Sequence, residues 1–347
     1  MIDLSKDKLP NITNGNTPKN YELCQEGDIA FADASEDTNE VAKAVEFYKL
    51  NGKDVICGLH TIHGRDNQQK TVVGYKGYAF SSTAFHHQIR RIAQGTKIYS
   101  INSKNFSECY IGIPSKEEQK KIATLLRLID ERIVTQNKII EDLKKLKSAI
   151  IENHYNQTEK QTASIADLGE PFSVGNLAKD DLAETGMPCV VYGELFTTYG
   201  ETISQIESHT NKTTGMIMSK KGDLLFPSST TVDAMSLIAP SVINVDGVIL
   251  GGDMFGIHIN HNYNAQYLSY YFNHIAKRQL AKFAKGSTII HLHYADIEKA
   301  KLLLPSLEEQ NRMAKCLVSL DEKVSVEQNF LSSLTFQKSY LLKQMFI

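Results

Sequence analysis

The feature that most constrains the fold of this chain is an internal repeat. The segment 114–151, PSKEEQKKIATLLRLIDERIVTQNKIIEDLKKLKSAII, returns at 305–342 as PSLEEQNRMAKCLVSLDEKVSVEQNFLSSLTFQKSYLL, displaced by 191 residues. Twelve of the 38 aligned positions are identical, and most of the others exchange similar side chains. A period of 191 residues indicates two copies of one unit and not a solenoid, whose repeats are much shorter.

Each copy of the repeat predicts one long helix. A serine three residues before a glutamate, as in Ser115 to Glu118 and Ser306 to Glu309, is the signature of a capping box at a helix start. Apolar residues then recur at alternating steps of four and three, which predicts a helix of about 35 residues with a heptad-like seam. The predicted seam contains Ile122, Leu126, Ile129, Ile133, Ile140 and Leu143 in the first helix and Met313, Leu317, Leu320, Val324, Leu331 and Leu334 in the second.

Polar residues interrupt both seams at matching places, Gln136 with Glu327 and Lys147 with Lys338. Such positions set the register of a helix pair at some cost in stability. The pattern predicts that the two helices pair with each other, antiparallel, as a rigid connection between two domains. The alternative is that each helix packs only on its own domain, but helices of globular domains usually have about 8 to 20 residues.

Composition and cysteine spacing exclude several classes of protein. The sequence has no apolar run of about 18 residues, and its first residues, MIDLSKDKLP, are neither basic nor apolar, so we predict no membrane span, no signal peptide and a cytoplasmic location. The five cysteines form no CxxC pair, which argues against a disulfide framework and against a zinc site. We therefore predict no metal site.

The net charge of −2 conceals an uneven distribution. Residues 1–48 carry ten acidic and four basic side chains, whereas residues 49–100 carry two acidic and eight basic ones. The second stretch interleaves its basic residues with histidine and aromatic side chains, which indicates a phosphate-facing surface. The alternative interpretation is a solvated basic face that the acidic segment balances.

The two variable regions share further short matches. They are GDIAFADAS at 27–35 with GDLLFPSST at 222–230, VICGLH at 55–60 with VILGGD at 248–253, and AQGT at 93–96 with AKGS at 284–287. Each variable region is therefore predicted to be a strand-rich α/β domain followed by its long helix. Gly95 and Gly286 suit the C-cap of a helix, where a positive φ is required, and would let the backbone approach a ligand closely.

As a set, these motifs resemble the specificity subunits of type I restriction-modification systems over essentially the full length. The motifs are PSKEEQKKI and PSLEEQNRM, LIDERI and SLDEKV, GDIAFADAS and GDLLFPSST, and AQGT and AKGS. The resemblance implies an α+β fold with a pseudo-two-fold internal repeat, in which two strand-rich α/β target recognition domains are joined by two long antiparallel helices that form a coiled-coil spacer. The implied boundaries are 1–113 and 156–304 for the recognition domains and 114–155 and 305–347 for the conserved helical regions.

The resemblance also implies a function. Each recognition domain would read one half of a bipartite site on double-stranded DNA from the major groove, and the helical pair would set the spacer. Family members work with two methyltransferase (modification) subunits, which transfer a methyl group from S-adenosylmethionine to adenine N6, and with a motor/nuclease (restriction) subunit that cleaves DNA with ATP and Mg. We find no methyltransferase, phosphate-loop or nuclease motif in this sequence, so we predict a non-catalytic subunit without a cofactor of its own.

Basic and hydroxyl side chains in both domains are candidates for DNA contact, because they can reach base edges or phosphates. The candidates are Arg65, Arg90 and Arg91 in the first domain and Ser228, Ser229, Thr230, Lys277, Arg278 and Lys285 in the second. The target sequence and the spacer length are not predictable from one chain, because base readout depends on side-chain geometry.

The first domain departs from the family pattern. Only 26 residues precede Gly27, whereas about 59 precede Gly222 when they are counted from Ala163. We therefore expect the first domain to lack about a third of its counterpart, either as a naturally short type or through a late start, and to have unpaired strands. Two other functions remain open: a degenerate or silent recombination cassette of such a subunit, and a coiled-coil scaffold that binds proteins.

Overall fold

The computed structural model describes residues 1–12 and 21–346, and these form two compact units. Unit 1 comprises Met1–Ile140 and Val326–Ile347, and unit 2 comprises Glu141–Ser325. Each unit therefore combines one variable region with a part of both long helices. No helix among the described residues has the length and apolar character that crossing a membrane requires.

The variable region of unit 1 consists of short strands and helices. They are β1 (Ile2–Asp3), β2 (Ile29–Ala32), β3 (Ala34–Ser35), β4 (Ala44–Lys49), β5 (Thr61–Gly64), β6 (Tyr99–Ser100), α1 (Lys76–Ala79), α2 (Thr83–Ile92) and α3 (Ser103–Phe106). Four strands form a sheet in the order β1-β4-β2-β5, in which β1 and β4 are parallel and the other pairs are antiparallel. Strands β3 and β6 form a separate two-stranded ribbon.

The core of unit 1 lies between β2 and α2. Side chains alternate across β2, so Ile29 and Phe31 point to the buried face and pack against Phe85 and Ile89 of α2. The helix begins after Ser82, whose side chain accepts a hydrogen bond from the main-chain N of Phe85 at 3.2 Å. Burial of each large apolar side chain contributes about 2 to 3 kcal/mol, which fixes the helix on the sheet.

The long helices are α4 (Lys116–Gln157) and α10 (Leu307–Met345). As the sequence predicted, each begins beside a serine: Ser115 Oγ accepts from the main-chain N of Glu118, and Ser306 Oγ accepts from that of Glu309, both at 3.3 Å. All predicted seam residues are buried or half-buried. The helices, with 42 and 39 residues, are somewhat longer than the predicted 35 or so.

Unit 2 contains the larger variable region. Its strands are β7 (Gln161–Ser164), β8 (Gly169–Ser173), β9 (Leu182–Ala183), β10 (Met187–Val191), β11 (Thr202–Ile203), β12 (Ser208–Thr210), β13 (Ile217–Met218), β14 (Asp223–Pro227), β15 (Ser229–Thr230), β16 (Ser241–Ile243), β17 (Ile249–Gly251), β18 (Met254–Ile259), β19 (Ile290–His291) and β20 (Lys301–Leu304). Its α-helices are α5 (Glu194–Thr197), α6 (Ala234–Leu237), α7 (Ala265–His274), α8 (Lys277–Leu280) and α9 (Tyr294–Ile297). Single 3-10 turns cover Ile165–Leu168, Lys179–Asp181 and Ala281–Phe283.

The sheet of unit 1 recurs in unit 2. The order β1-β4-β2-β5 corresponds to β11-β16-β14-β18, in which β11 and β16 form the parallel pair, and β8 is added beside β18. The bridge between Leu23 and Ile56 likewise corresponds to the pairing of Met218 with Ile249 in the second sheet of unit 2, β13-β17-β10-β12-β9. We expected unpaired strands in the shorter first domain. In the structure β1 is the parallel partner of β4, so that side of β4 is paired. In the described part of unit 1, β5 is left as an edge strand.

Within unit 1, the segments of α4 and α10 are antiparallel. The side-chain amide of Gln136 donates hydrogen bonds to the main-chain oxygen of Glu327 at 3.1 Å and to its carboxylate. Further along, Lys338 forms an ion pair with Asp130 at 2.6 Å, so residue numbers rise on one helix as they fall on the other. Gln136 and Glu327 occupy the same position of the repeat, so the two copies contact each other there through equivalent residues.

Within unit 2, the other segments of these helices are antiparallel as well. Lys147 Nζ donates to Asp321 at 2.8 Å, and His154 Nε2 lies 2.9 Å from a carboxylate oxygen of Glu309. Lys147 and Lys338 occupy the same position of the repeat, and so do Asp321 and Asp130. The ion pair Lys147–Asp321 in unit 2 is therefore equivalent to the ion pair Lys338–Asp130 in unit 1. The lysine seam position that the sequence singled out thus makes the same contact in both units, and these contacts confirm the predicted antiparallel pairing.

Candidate nucleic-acid interface

An exposed loop follows the basic helical stretch in each unit. In unit 1 the loop is closed by two main-chain hydrogen bonds between Gln94 and Ser100, at 3.0 and 2.8 Å. In unit 2 the same pair of bonds joins Lys285 and His291, at 2.9 and 2.7 Å. We refer to residues 94–100 and 285–291 as the recognition loops. Each is anchored by a two-stranded ribbon, β3 with β6 in unit 1 and β15 with β19 in unit 2.

The two glycines of the recognition loops are not the helix C-caps that the sequence predicted. Helix α2 ends at Ile92 with Ala93 as its C-cap, and the 3-10 turn in unit 2 ends with Ala284. Gly95 and Gly286 lie two residues further on, with φ of +140° and +115°. A Cβ atom at either position would lie 1.9 to 2.0 Å from a main-chain oxygen of the same loop. Glycine is required there because the loop backbone folds back on itself.

The recognition loop of unit 2 presents basic, hydroxyl and apolar side chains to solvent. Lys285 is exposed and pairs with Asp296, whose pKa is lowered by the hydrogen bond from Lys285 and by one from the main chain of His293. Ile289 is 49% exposed at the end of the loop. The exposed residues from 282 to 293 are Lys282, Phe283, Lys285, Gly286, Ser287, Thr288, Ile289, His291 and His293.

The recognition loop of unit 1 has different side chains on the same scaffold. Lys97 is exposed, and Ile98, with 60% of its surface exposed, occupies the place that Ile289 has in unit 2. Both predicted arginines on α2, Arg90 and Arg91, are exposed. Arg90 also donates to the side-chain oxygen of Asn39 at 2.9 Å. The predicted positions Arg90, Arg91 and Lys285 therefore lie on or next to the recognition loops.

Arg65 does not belong to this surface. Its guanidinium donates to both carboxylate oxygens of Asp28, to the main-chain oxygen of Leu23 and to Glu22. Asp28 is itself buried, and although burial alone would raise the pKa of its carboxyl, the hydrogen bonds from Arg65, from the Gln25 main chain and from His63 lower it. Arg65 thus compensates a buried charge, and we leave it out of the proposed interface.

The hydroxyl candidates of unit 2 are buried or hydrogen-bonded within the fold. Ser228 and Ser229 are only 7% and 5% exposed. The hydroxyl of Ser229 donates to Asp253 at 2.8 Å, and that of Thr230 accepts from the main-chain N of Val232 at 3.2 Å. These residues lie in or beside the ribbon that anchors the loop, because β15 pairs with β19. That their hydroxyls contact DNA stays a prediction.

Lys277 and Arg278 lie at the start of α8, in a separate shallow depression. Arg278 is exposed, and Lys277 is half-buried. The depression is lined by Glu152, Tyr155, Asn156, Met235, His274, Ile275, Lys277 and Arg278. Both basic residues therefore sit beside the end of α4 and are not part of the recognition loop.

A buried polar network fixes Lys147 in unit 2. Besides Asp321, Lys147 Nζ donates to both carboxylate oxygens of Glu201 at 3.1 and 3.0 Å, and Tyr270 donates its hydroxyl to Asp321 at 2.6 Å. Burial alone would raise the pKa of Glu201, but the hydrogen bond from His274 and the charge of Lys147 together lower it to about 2. The pKa of Lys147 is raised, because its two carboxylate partners outweigh the effect of burial.

The sequence did not single out the tyrosine and glutamine residues that attach each long helix to its variable region. Tyr78 donates to Asp130 at 2.8 Å in unit 1, as Tyr270 does to Asp321 in unit 2. Buried Gln119 accepts from the main-chain N of Val72 at 2.9 Å. In unit 2, Gln310, Asn264 and Pro305 make the corresponding contacts, with Gln310 accepting from Asn264 N at 3.0 Å and donating to Pro305 O at 2.9 Å. A signal existed for the glutamines, because both lie in the repeated motif EEQ.

Comparison with known proteins agrees with this architecture. The family described as type I restriction modification DNA specificity domain matches residues 8–145 and 158–335, once in each half of the chain. The type I restriction enzyme MjaVIII specificity subunit of Methanocaldococcus jannaschii is 24% identical over 333 residues, covering 82% of this chain and 77% of that protein.

Solved structures show the same fold. The type I restriction-modification S subunit from M. genitalium superposes with a TM-score of 0.59 at 17% identity, covering 97% of this chain and 87% of that chain. A chain from a structure of type I system assembly and conformational transition gives a TM-score of 0.60 at 15% identity, covering 94% of this chain and 83% of that chain. Because the family matches most of the length of this chain, the chain belongs to the type I restriction-modification DNA specificity family and is a non-catalytic specificity subunit.

Proposed function

We propose that this subunit recognises a bipartite site on double-stranded DNA, with each unit reading one half of the site and the paired helices setting the spacer. The subunit would direct two methyltransferase subunits, which use S-adenosylmethionine to methylate adenine N6, and a motor/nuclease subunit that requires ATP and Mg. It would do so in the cytoplasm. The cofactors would be held by the partner subunits.

The observation that carries this proposal is the pair of recognition loops. Both loops have the same main-chain closure and the same strained glycine, yet exposed side chains differ at equivalent positions: Gln94, Lys97 and Ser100 in unit 1 correspond to Lys285, Thr288 and His291 in unit 2. A conserved scaffold with different exposed side chains is what two half-sites of different sequence require, because base edges are read by individual side chains.

Charge supports the same surface. Arg90, Arg91 and Lys97 are exposed around the loop of unit 1, and Lys282 and Lys285 are exposed around that of unit 2. Each phosphate that a basic side chain neutralises releases counterions from DNA, so binding through these residues should weaken steeply with salt. Arg278 and Lys277, beside the end of α4, would contribute phosphate contacts or contact a partner subunit.

The decisive experiment is co-expression of the chain with a candidate modification subunit, followed by single-molecule sequencing of host DNA for N6-methyladenine. We expect a bipartite motif with a fixed gap. Methylation specified by only one half-site would show that unit 1 does not read DNA. A stable complex that methylates no motif would favour the silent-cassette alternative, and DNA binding without sequence preference or methylase dependence would favour the scaffold alternative.

Two variants of the same residue type test the assignment of the loop. Lys285→Ala should weaken binding to the cognate site about tenfold or more, because a lost base or phosphate contact costs about 1 to 3 kcal/mol. Lys299→Ala is the matched control, because Lys299 is 92% exposed in the turn before β20 and its removal changes the net charge equally. Equal binding by both variants would contradict the assignment of the recognition loop.

A further inference from the structure

Unit 1 brings together three side chains that ligate metals. The sulfur atoms of Cys24 and Cys57 are 3.7 Å apart, and a ring nitrogen of His63 lies within 4.8 Å of both sulfurs. Cys24 is buried, and the other two are half-buried. Sequence reasoning predicted no metal site because the two cysteines are 33 residues apart, far from a CxxC spacing.

The distance between the two sulfurs agrees better with two ligands of a shared metal ion than with a disulfide bond. Zinc bound tetrahedrally with Zn–S distances of about 2.3 Å holds two thiolate sulfurs about 3.8 Å apart. A disulfide would need the same atoms at about 2.05 Å. The observed 3.7 Å therefore agrees with two thiolates that share a zinc ion.

Main-chain pairing fixes all three residues independently of their side chains. The main-chain N of Cys24 donates to Val55 O at 2.8 Å, and the neighbouring residues Leu23 and Ile56 form an antiparallel bridge. His63 lies within β5, where it pairs with Ala30 of β2. A site whose ligands are held by a sheet and a bridge is preorganised, so little ordering would be needed to bind an ion.

His63 is oriented as a metal ligand requires. Its Nε2 lies 2.9 Å from a carboxylate oxygen of Asp28, which can only accept, so in the neutral imidazole that a metal requires Nε2 is the donor and Nδ1 is the nitrogen available to the ion. A carboxylate that binds the second ring nitrogen is the usual outer partner of a zinc-binding histidine. A carboxylate oxygen of Glu22 lies 3.8 Å from Nδ1 and could supply a fourth oxygen ligand.

Unit 2 provides an internal comparison. Ala30 pairs with His63 in unit 1, and its counterpart Leu225 pairs with Gly256 in unit 2, so a glycine replaces the histidine there. His258, which bonds to the buried Asp223 at 2.6 Å, corresponds to Arg65. Ser219 and Leu250 replace the two cysteines there, and Ser219 N donates to Val248 O at 2.8 Å as Cys24 N does to Val55 O. The sulfur ligands are therefore specific to unit 1.

The comparison also indicates why unit 1 would use a metal. In unit 2, β8 pairs with β18, and Phe172 of β8 stacks on His258 with ring centroids 4.3 Å apart. In the described part of unit 1, β5 is an edge strand with no such cover. A zinc ion would join β5 to the segments around Cys24 and Cys57, where unit 2 has the additional strand.

We propose that Cys24, Cys57 and His63 of unit 1 bind a structural zinc ion, with Glu22 or a water molecule as the fourth ligand. The ion stabilises the edge of the sheet in the shorter recognition domain. This site does not depend on the proposed DNA recognition, because it can be tested without DNA or partner subunits.

The test is the zinc content of the full chain, purified in reductant with a tag that contains no histidine, loaded with zinc and dialysed against metal-free buffer. We expect one zinc per chain in the wild type and its loss in Cys57→Ser and His63→Asn. The matched controls Cys109→Ser and His258→Asn make the same changes elsewhere and should keep the metal. Circular dichroism of each variant establishes that it is folded.

Cobalt substitution gives a second readout that does not depend on the stability of the variants. Cobalt bound to the wild type should show the charge-transfer absorption of thiolate ligands, and Cys57→Ser should weaken it. A folded wild-type chain that retains no zinc and shows no cobalt–thiolate absorption would overturn the proposal. A Cys24–Cys57 disulfide in the chain after zinc loading, or zinc retained by both ligand variants, would overturn it as well.

Discussion

Replacing Lys147 by methionine should destabilise unit 2 strongly. The side chain of Lys147 is only 11% exposed, and its ammonium makes close contacts with both Glu201 and Asp321. Methionine fills a similar volume but leaves two carboxylates without their shared cation. Breaking a buried ion pair by removing one partner costs about 3 to 5 kcal/mol.

The pKa of Glu201 gives a similar magnitude. A fall from 4.5 to about 2 corresponds to about 3 kcal/mol of interaction that favours the charged carboxylate in the folded state. His274 supplies part of this stabilisation and remains in the variant, so we expect Lys147→Met to lower the free energy of opening by about 2 to 3 kcal/mol, near the lower end of the range for breaking a buried pair.

Hydrogen exchange measured by mass spectrometry is the appropriate assay, because a chain with two units need not unfold in one step. Peptides from 141–157 and 307–325 should exchange faster in Lys147→Met, while peptides from 116–140 keep their wild-type protection. Lys338→Met is the matched control, because Lys338 is 31% exposed and forms an ion pair with Asp130, the contact equivalent to Lys147 with Asp321. A single pair this exposed contributes about 1 kcal/mol or less.

Two results would refute this reasoning. One is a Lys338→Met variant that loses as much protection as Lys147→Met or more. The other is a double variant, Lys147→Met with Glu201→Gln, that is no more stable than Lys147→Met, because removing the uncompensated charge should recover part of the loss.

Three further predictions concern pH, a strained glycine and a buried amide. Because the folded-state pKa of Glu201 is lowered, its contribution is complete above about pH 4.5 and is lost as the pH falls toward 2, so acid unfolding of unit 2 should be shallower in Glu201→Gln. Gly286→Ala should weaken DNA binding about tenfold without changing the circular dichroism spectrum, because a Cβ atom there meets Ile289 O at 2.0 Å. Gln310→Leu should cost about 3 kcal/mol by leaving the Asn264 N–H and the Pro305 carbonyl unsatisfied, measurable as a lower midpoint in urea.

The long helices and their seams were predictable because their signals are local. A serine cap and an apolar residue every three or four positions are properties of one segment, and the repeat identifies its partner. The same reasoning identified Gln136 and Lys147 as polar seam positions, and both are buried in the pairing. The sequence could not show that Lys147 also meets Glu201, which comes from a loop 54 residues away.

Residue type and spacing alone determined that the chain is a duplicated scaffold with two long antiparallel helices. The tertiary structure decided which side chains are available for contact with a ligand. Arg65 and Ser229 matched the chemistry of DNA contact, but the fold commits them to Asp28 and Asp253. Cys24 and Cys57 had no recognisable spacing, yet the fold places them together. The physical reason is the same in each case: hydrogen-bond partners and ligand sets are formed by residues distant along the chain, which only the packing of sheets and helices brings within reach.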